Sequence, residues 1–505
     1  MRADRFVKPV ADLASRAGAR ACAMLFLATR LAAQEPVDLA TIARIRDEGL
    51  NRSKVVETFN HLTNVIGPRL TGSPAYKRAA DWSAEQLRNY GLSAVHLESF
   101  PFGRSWELER LTLELVEPRY FPLIGYPAAW SPSTRGELLA TPIYIGETDS
   151  AALRARAARG ELRGAIVLAT QPQTELISRD RLQPSEHGEP VRIGAPPFLN
   201  ARAPLAGNGL ATLLREAGAA AVLRPTQGQH GTLFVTGSRT TPPDATPAIA
   251  VAAEHYNMVV RLLSSGAPVR LRVRVDARMS AADTNGYNVL AELPGSDPAL
   301  KDEVVLLGAH LDSWHAATGA TDNADASAAL IEAMRILKAL DLRPRRTIRV
   351  ALWGGEEQGL LGSRAYAARH YAGDSNAAAR GKLAVYLNSD PGTGPIYGWY
   401  LEEHAAVKPI FDAWLEPLKD LGMRRNVMAR IGNTDHLAFT ALGLPAFNTL
   451  QDYADYDTRE HHTNADFAER VRPEELRQQA IVMAVFAWHA AQRDAKLPPP
   501  PPRVP

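Results

Sequence analysis

Five short polar motifs between residues 310 and 466 carry the side chains that hold divalent metals and move protons. They are His310 with Asp312, Thr321-Asp322-Asn323, Gly355-Glu356-Glu357, Asn388-Ser389-Asp390, and His461-His462 followed by Thr463, Asn464, Ala465 and Asp466. Two imidazoles and three carboxylates are enough to cage a pair of zinc ions, and one more carboxylate is left to transfer a proton. The only cysteine, Cys22, lies in the N-terminal segment, so a metal in the folded part has only His and carboxylate ligands available.

Each of these residues, taken singly, has an ordinary structural role open to it. Asp322 precedes a helical pattern and could cap it. Glu356 and Glu357 could favour a helix dipole, and Asp390 before Pro391 and Gly392 could simply make a turn. His310 could be a satisfied core histidine, and His462 a surface one. Their joint order, with most of them at the ends of elements, argues for chemistry.

The elements that would position them follow from periodicity. Residues 304–308, 347–353, 383–387 and 445–450 are short apolar runs that read as buried strands. Between them come helical patterns at 324–340, with Leu330, Met334 and Leu337 on one face, and at 357–371 and about 405–421; a last helix spans about 473–492. Such alternation predicts an α/β fold with a central sheet covered by helices on both faces. Ligands of α/β sheets gather beyond the carboxyl ends of strands. His310 with Asp312, Glu356 with Glu357, and Asp390 each follow one of these strands, so all should reach one sheet edge. Burying so many carboxylates without a cation costs several kcal/mol each. A pair of divalent ions roughly 3.5–4 Å apart removes that cost and can activate a shared water. Asp322 has two oxygens with which to bridge such a pair. Glu356 and Glu357 diverge as sequence neighbours, so Glu356 can serve as the proton carrier. Tyr453 or Tyr456 could lend a hydroxyl, although a packing or rim position is the commoner fate of tyrosine.

Upstream, residues 51–92 read as helical, broken by a Gly- and Pro-rich loop at 66–74, with a helix at 75–90 ended by Gly91. From 130 to 278 the texture changes to short β-rich pieces (141–145, 164–169, 219–223, 248–251, 269–275) between long polar, Pro-rich stretches. This predicts a small β-rich domain, 130–278, inserted between an N-terminal part, 35–129, and the part that carries the polar motifs, 279–497.

These motifs, with Gly308, Ala309, Ser313, Trp314, Ala320 and Gly359 around them, resemble those of the co-catalytic zinc aminopeptidase family, most closely its carboxypeptidase Q branch. The resemblance covers about residues 50–490, including the insert, which is similar to a protease-associated domain. It implies a zinc-exopeptidase fold with a mixed central sheet and two Zn²⁺ per chain. The metal ligands would be His310, Asp322, Glu357, Asp390 and His462. Asp322 would bridge, with His310 and Glu357 on opposite ions. Glu356 would be the general base, and Asp312 would orient His310. His462 is preferred to His461 because Thr463 and Asp466 follow it as in the family pattern. The resemblance also puts Thr434-Asp435-His436 on the pocket wall, where an N-cap is the competing role, and it suggests a homodimer.

The wider sequence bounds the reading. At 505 residues two or three domains are expected, and a net charge of +2 gives no reason to expect nucleic acid. Basic residues, the apolar stretch 21–29 and small residues near 31–34 predict a secretory signal over 1–34, hence a periplasmic or extracellular location. No later segment has the apolar length of a membrane span. The Pro-rich tail 498–505 reads as disordered. The leading expectation is an exopeptidase acting on dipeptides or short peptides. Action as an aminopeptidase on longer peptides, a metal-free receptor-like binding module, and a glutaminyl-cyclase-like aminoacyltransferase are the alternatives.

Overall fold

The computed structural model describes residues 35–184, 209–390 and 392–500. The expected export signal, Cys22 and tail residues 501–505 lie outside the described residues.

The centre of the fold is a seven-stranded sheet ordered Ser93–Pro101, Asn285–Leu293, Thr347–Trp353, Val304–His310, Leu383–Asn388, Ala446–Asp452, Thr393–Tyr400. Its four inner strands are the apolar runs of the sequence and pair in parallel. Every residue of Val304–His310 is buried, as expected of a strand covered on both faces. Three further strands pair antiparallel at the edges, which makes the sheet mixed. These edge strands were not evident in the sequence. Ser93–Pro101 is largely exposed and carries His96 and Glu98, so its pattern lacks an apolar face; pairing with Asn285–Leu293 makes it a strand.

Helices cover the sheet. Leu306, Trp353 and Tyr386 pack with Tyr366 and Phe439 from the helices Leu361–Tyr371 and Leu437–Thr440. Helices Asp325–Ala339 and Pro473–Gln492 pack on each other and on Val304–His310. The expected helix at 405–421 is instead a helix Lys408–Leu415 followed by a tighter turn Glu416–Leu421, where Pro417 enters.

Residues 105–280 build two further sheets. A four-stranded one is dominated by the antiparallel pair Ser105–Glu117 and Arg270–Ser280. A five-stranded one is ordered Gly125–Pro127, Ala248–Val251, Ala221–Pro225, Ile166–Leu168, Ile143–Tyr144. The two share a core of aliphatic side chains that includes Leu113, Leu168, Leu223, Val251 and Val273. Among the described residues, no helix is long and apolar enough to cross a membrane.

Candidate metal centre and cleft

The inner strands end together and deliver their following residues to one edge. His310 closes Val304–His310, Glu356 and Glu357 follow Thr347–Trp353 after two glycines, and Asp390 follows Leu383–Asn388. Asp322 comes from an irregular turn, Ala320–Ala324, before the helix Asp325–Ala339. It therefore caps nothing.

Asp322 stands between two groups of side chains. Its Oδ1 lies 3.1 Å from His310 Nε2, which is also 3.6 Å from Asp390 Oδ1. Its Oδ2 lies 3.5 Å from His462 Nε2, which is 2.8 Å from Glu357 Oε2. The structure thus brings His310, Asp322, Glu357, Asp390 and His462 into one cluster, with one carboxylate shared. His461 stacks on His462 with ring centres 3.7 Å apart, and it too can reach Asp322. Only His462, however, makes a close contact with Glu357.

The surroundings hold these groups in place. His310 Nδ1 is 3.0 Å from the Asp312 carbonyl oxygen and 3.7 Å from its carboxylate, which leaves Nε2 aimed at the cluster. The Asp312 carboxylate accepts the Thr71 hydroxyl at 2.8 Å and the Glu356 amide at 3.3 Å, so it ties the Glu356 backbone to the His310 loop. Asp466 accepts from the Thr321 amide and hydroxyl and from the Asp322 amide, which sets the turn bearing Asp322. His462 adopts a left-handed backbone (φ 60°). Its carbonyl accepts from the Val235 amide, and the Asn464 amide and side chain bond Leu233, so residues outside the central sheet hold this loop. Trp314 meets the His462 ring edge-on at 6.0 Å.

The electrostatics call for a cation. Burial pushes the Glu357 carboxyl well above its ordinary range, reinforced by Asp322, Asp312 and Asp390 and opposed by His310. The Glu356 carboxyl moves the same way, through burial first, with His310 opposing and Asp390, Asp435 and Glu357 adding. Burial would also raise Asp322, but a hydrogen bond from His310 and the charges of His310, His462 and His461 hold it well below. Both Glu357 oxygens are buried without a well-aligned hydrogen bond among the described residues, and only the His462 ring nitrogen comes close to Oε2. An ionised carboxylate only accepts, so a metal ion is the natural partner for those lone pairs. The mixed imidazole and carboxylate donor set suits zinc.

Arg69 is an essential part of the scaffold that its sequence setting, inside the 66–74 loop, gave no means of finding. It is fully buried, and its guanidinium donates to the carbonyls of Leu311, Leu62, Gly67, Thr318 and Gly319. Burial lowers its pKa to about 10 while Asp466, Asp312, Asp322 and Glu357 pull it back up. It gathers the 311–319 loop beneath His310 and Asp322. Arg69→Met is expected to cost at least about 3 kcal/mol in urea unfolding, because five carbonyls lose their donor. Arg69→Lys, with one compact ammonium in place of a planar fork, should recover little.

Tyr453 and Tyr456 take the packing position that the sequence favoured: both are buried, and the Tyr453 hydroxyl is spent on Tyr400 at 2.8 Å. One expectation needs correction. Asp435 neither caps a helix nor faces the cleft. It is buried, and burial first, with Asp390 and Asp312 adding against the charge of His310 and a hydrogen bond from Ser363, raises it to about 7.

A cleft of about 620 Å³ opens beside the cluster, lined by Trp314, Glu357, His461 and His462 on one side. The opposite side comes from the five-stranded sheet and its loops, with Arg224, Gln227, Phe234 and Ala250.

Comparison with known proteins agrees with this geometry. Residues 288–487 match the model of Peptidase family M28. Carboxypeptidase Q of Bos taurus is 27% identical over 454 residues, covering 89% of this chain and 88% of that protein. A solved Peptidase M28 precursor from Shewanella amazonensis is 28% identical with a TM-score of 0.69, covering 92% of this chain and 99% of the other. The zinc aminopeptidase BSAP of Bacillus subtilis shares the fold, with a TM-score of 0.56 at 19% identity over 88% of this chain and 96% of its own.

Proposed function

We propose that this chain is a zinc metallo-exopeptidase of peptidase family M28 that hydrolyses dipeptides or short peptides at a site holding two zinc ions. The observation that carries the proposal is the sharing of Asp322 between two ligand groups, His310 with Asp390 and His462 with Glu357. One carboxylate with an oxygen facing each group is the arrangement that a metal pair requires. When bound there, zinc polarises the scissile carbonyl and acidifies the attacking water.

The remaining steps belong to the chain. Glu356 accepts the proton of the attacking water on its carboxylate and returns it to the leaving amine. A carboxyl raised by its buried surroundings is a stronger proton acceptor than an exposed one. Asp312 positions both partners, because its carboxylate binds the Glu356 amide and its carbonyl faces His310 Nδ1. Trp314 and His462 wall the cleft beside the reacting bond. The five-stranded sheet and its loops, read as part of the inserted domain, supply the opposite wall and restrict access to small substrates. The N-terminal 34 residues support export as a secreted or periplasmic protein.

Action on longer peptides from the amino end is the competing reading, in keeping with the aminopeptidases that share the fold. The zinc-loaded protein is expected to cleave a panel of dipeptides with higher kcat/KM than a chromogenic aminoacyl amide or a pentapeptide, and to contain two zinc ions per chain by elemental analysis. Preference for the pentapeptide would transfer the assignment to an aminopeptidase, and a single ion would remove the shared-carboxylate mechanism.

A further inference from the structure

Arg224 closes the central strand Ala221–Pro225 of the five-stranded sheet and lines the same cleft as Glu357 and His462. It is exposed to that cleft and makes no hydrogen bond or ion pair among the described residues. Few arginines of this protein that lie near the site share that condition. Arg69 is spent on carbonyls, and Arg181 is paired with Asp457 at 2.8–2.9 Å. Among the described residues, Arg224 is the only Lys or Arg lining the cleft, and Glu357, a zinc ligand in the proposed mechanism, is its only Asp or Glu.

We propose that Arg224 is the specificity-determining residue that receives the terminal carboxylate of the peptide on the leaving-group side. The inference rests on the peptidase reading above and adds to it the group that selects the substrate. A guanidinium presents a planar fork that matches a carboxylate with two parallel hydrogen bonds. Without a counter-charge in a partly enclosed cleft, it gains more from an incoming anion than it would at an open surface. Burial lowers the guanidinium's pKa, opposed by Tyr256. In a dipeptide the free carboxylate lies one residue, about 3.3–3.6 Å of chain, beyond the scissile bond. The reaction is unchanged by this contact: water adds across the peptide bond, the acyl carbon takes the hydroxyl and the amine takes the proton. Arg224 acts on binding alone. The opposite wall, from the five-stranded sheet, thereby reads the end of the substrate while the central sheet cleaves it.

The test compares zinc-loaded wild type, Arg224→Gln and Arg224→Lys on matched di- and tripeptides carrying a free C-terminal carboxylate, on the same peptides as C-terminal amides, and on amides with an aspartate side chain. For the free acids, Arg224→Gln is expected to raise KM about 10- to 100-fold with kcat little changed. The neutral amides should be unaffected, and Arg224→Lys should fall between wild type and Arg224→Gln. Because Arg224 is solvent-exposed, the variants should melt with wild type, which isolates the effect to binding. An equal response of acids and amides overturns the proposal. A loss confined to the aspartate-bearing amides overturns it too, in favour of an acidic side chain as the ligand. Wild type that cleaves none of these peptides would instead defeat the peptidase reading on which the inference stands.

Discussion

Replacing Glu356 by alanine is expected to leave zinc binding intact while lowering kcat on a dipeptide by about 10²- to 10⁴-fold. Glu356 is absent from the contacts that join His310, Asp322, Asp390, Glu357 and His462, so its removal leaves that cluster standing. What disappears is the proton acceptor. The Glu356 amide keeps its bond to Asp312 in the variant, because that contact uses the backbone. Burial raises the Glu356 carboxyl, so its loss removes a desolvation cost, and the variant should melt no lower than wild type. Elemental analysis, a melting curve and steady-state kinetics check the three parts together. Retained turnover would take the general-base role away from Glu356, and loss of zinc would move it into the ligand set.

Removing the shared carboxylate has a different signature. Asp322→Ala is expected to abolish zinc binding at both positions and activity with it, whereas His462→Ala should spare the ion held by His310 and Asp390. The reason is geometric: Asp322 Oδ1 faces His310 at 3.1 Å and Oδ2 faces His462 at 3.5 Å, so each group depends on one of its oxygens. Asp322→Ala also strips the negative charge that the neighbouring imidazoles stabilise. The protein then keeps Glu357 and Asp390 as buried carboxylates with neither bridge nor metal, and its melting temperature should fall below that of chelated wild type. Zinc content by titration with a chromogenic chelator, measured alongside melting, distinguishes the two variants. Two ions retained by Asp322→Ala would refute the bridge.

Much of this protein was legible before folding because its inner strands are nearly continuous apolar runs. Residues 304–308 and 347–353 could be buried on both faces only in a parallel sheet, and the chemistry-bearing residues directly follow such strands. The edge strands escaped notice for the converse reason. Ser93–Pro101 alternates weakly and is half exposed, so its conformation is dictated by the partner strand. Asp322 was legible as a candidate through its neighbours, but its capping role was open until the turn at Ala320–Ala324 put it clear of the helix. Arg69 and Arg224 could not be found by pattern. Their partners, or lack of them, lie in segments distant along the chain, and no local periodicity encodes that.

What the amino-acid order determined by itself was the inventory: which residues could hold metal, in what succession, and on strands of which kind. Side-chain chemistry and hydrophobic period are local properties, so they can be read one segment at a time. The tertiary structure alone decided how that inventory is divided. It set Asp322 between two groups, separated His462 from its neighbour His461 through contact with Glu357, and placed an unpaired arginine from a second sheet across the cleft. Those relations depend on distances between segments up to 240 residues apart, about the span from Arg224 to His462, and only packing of the whole chain specifies them.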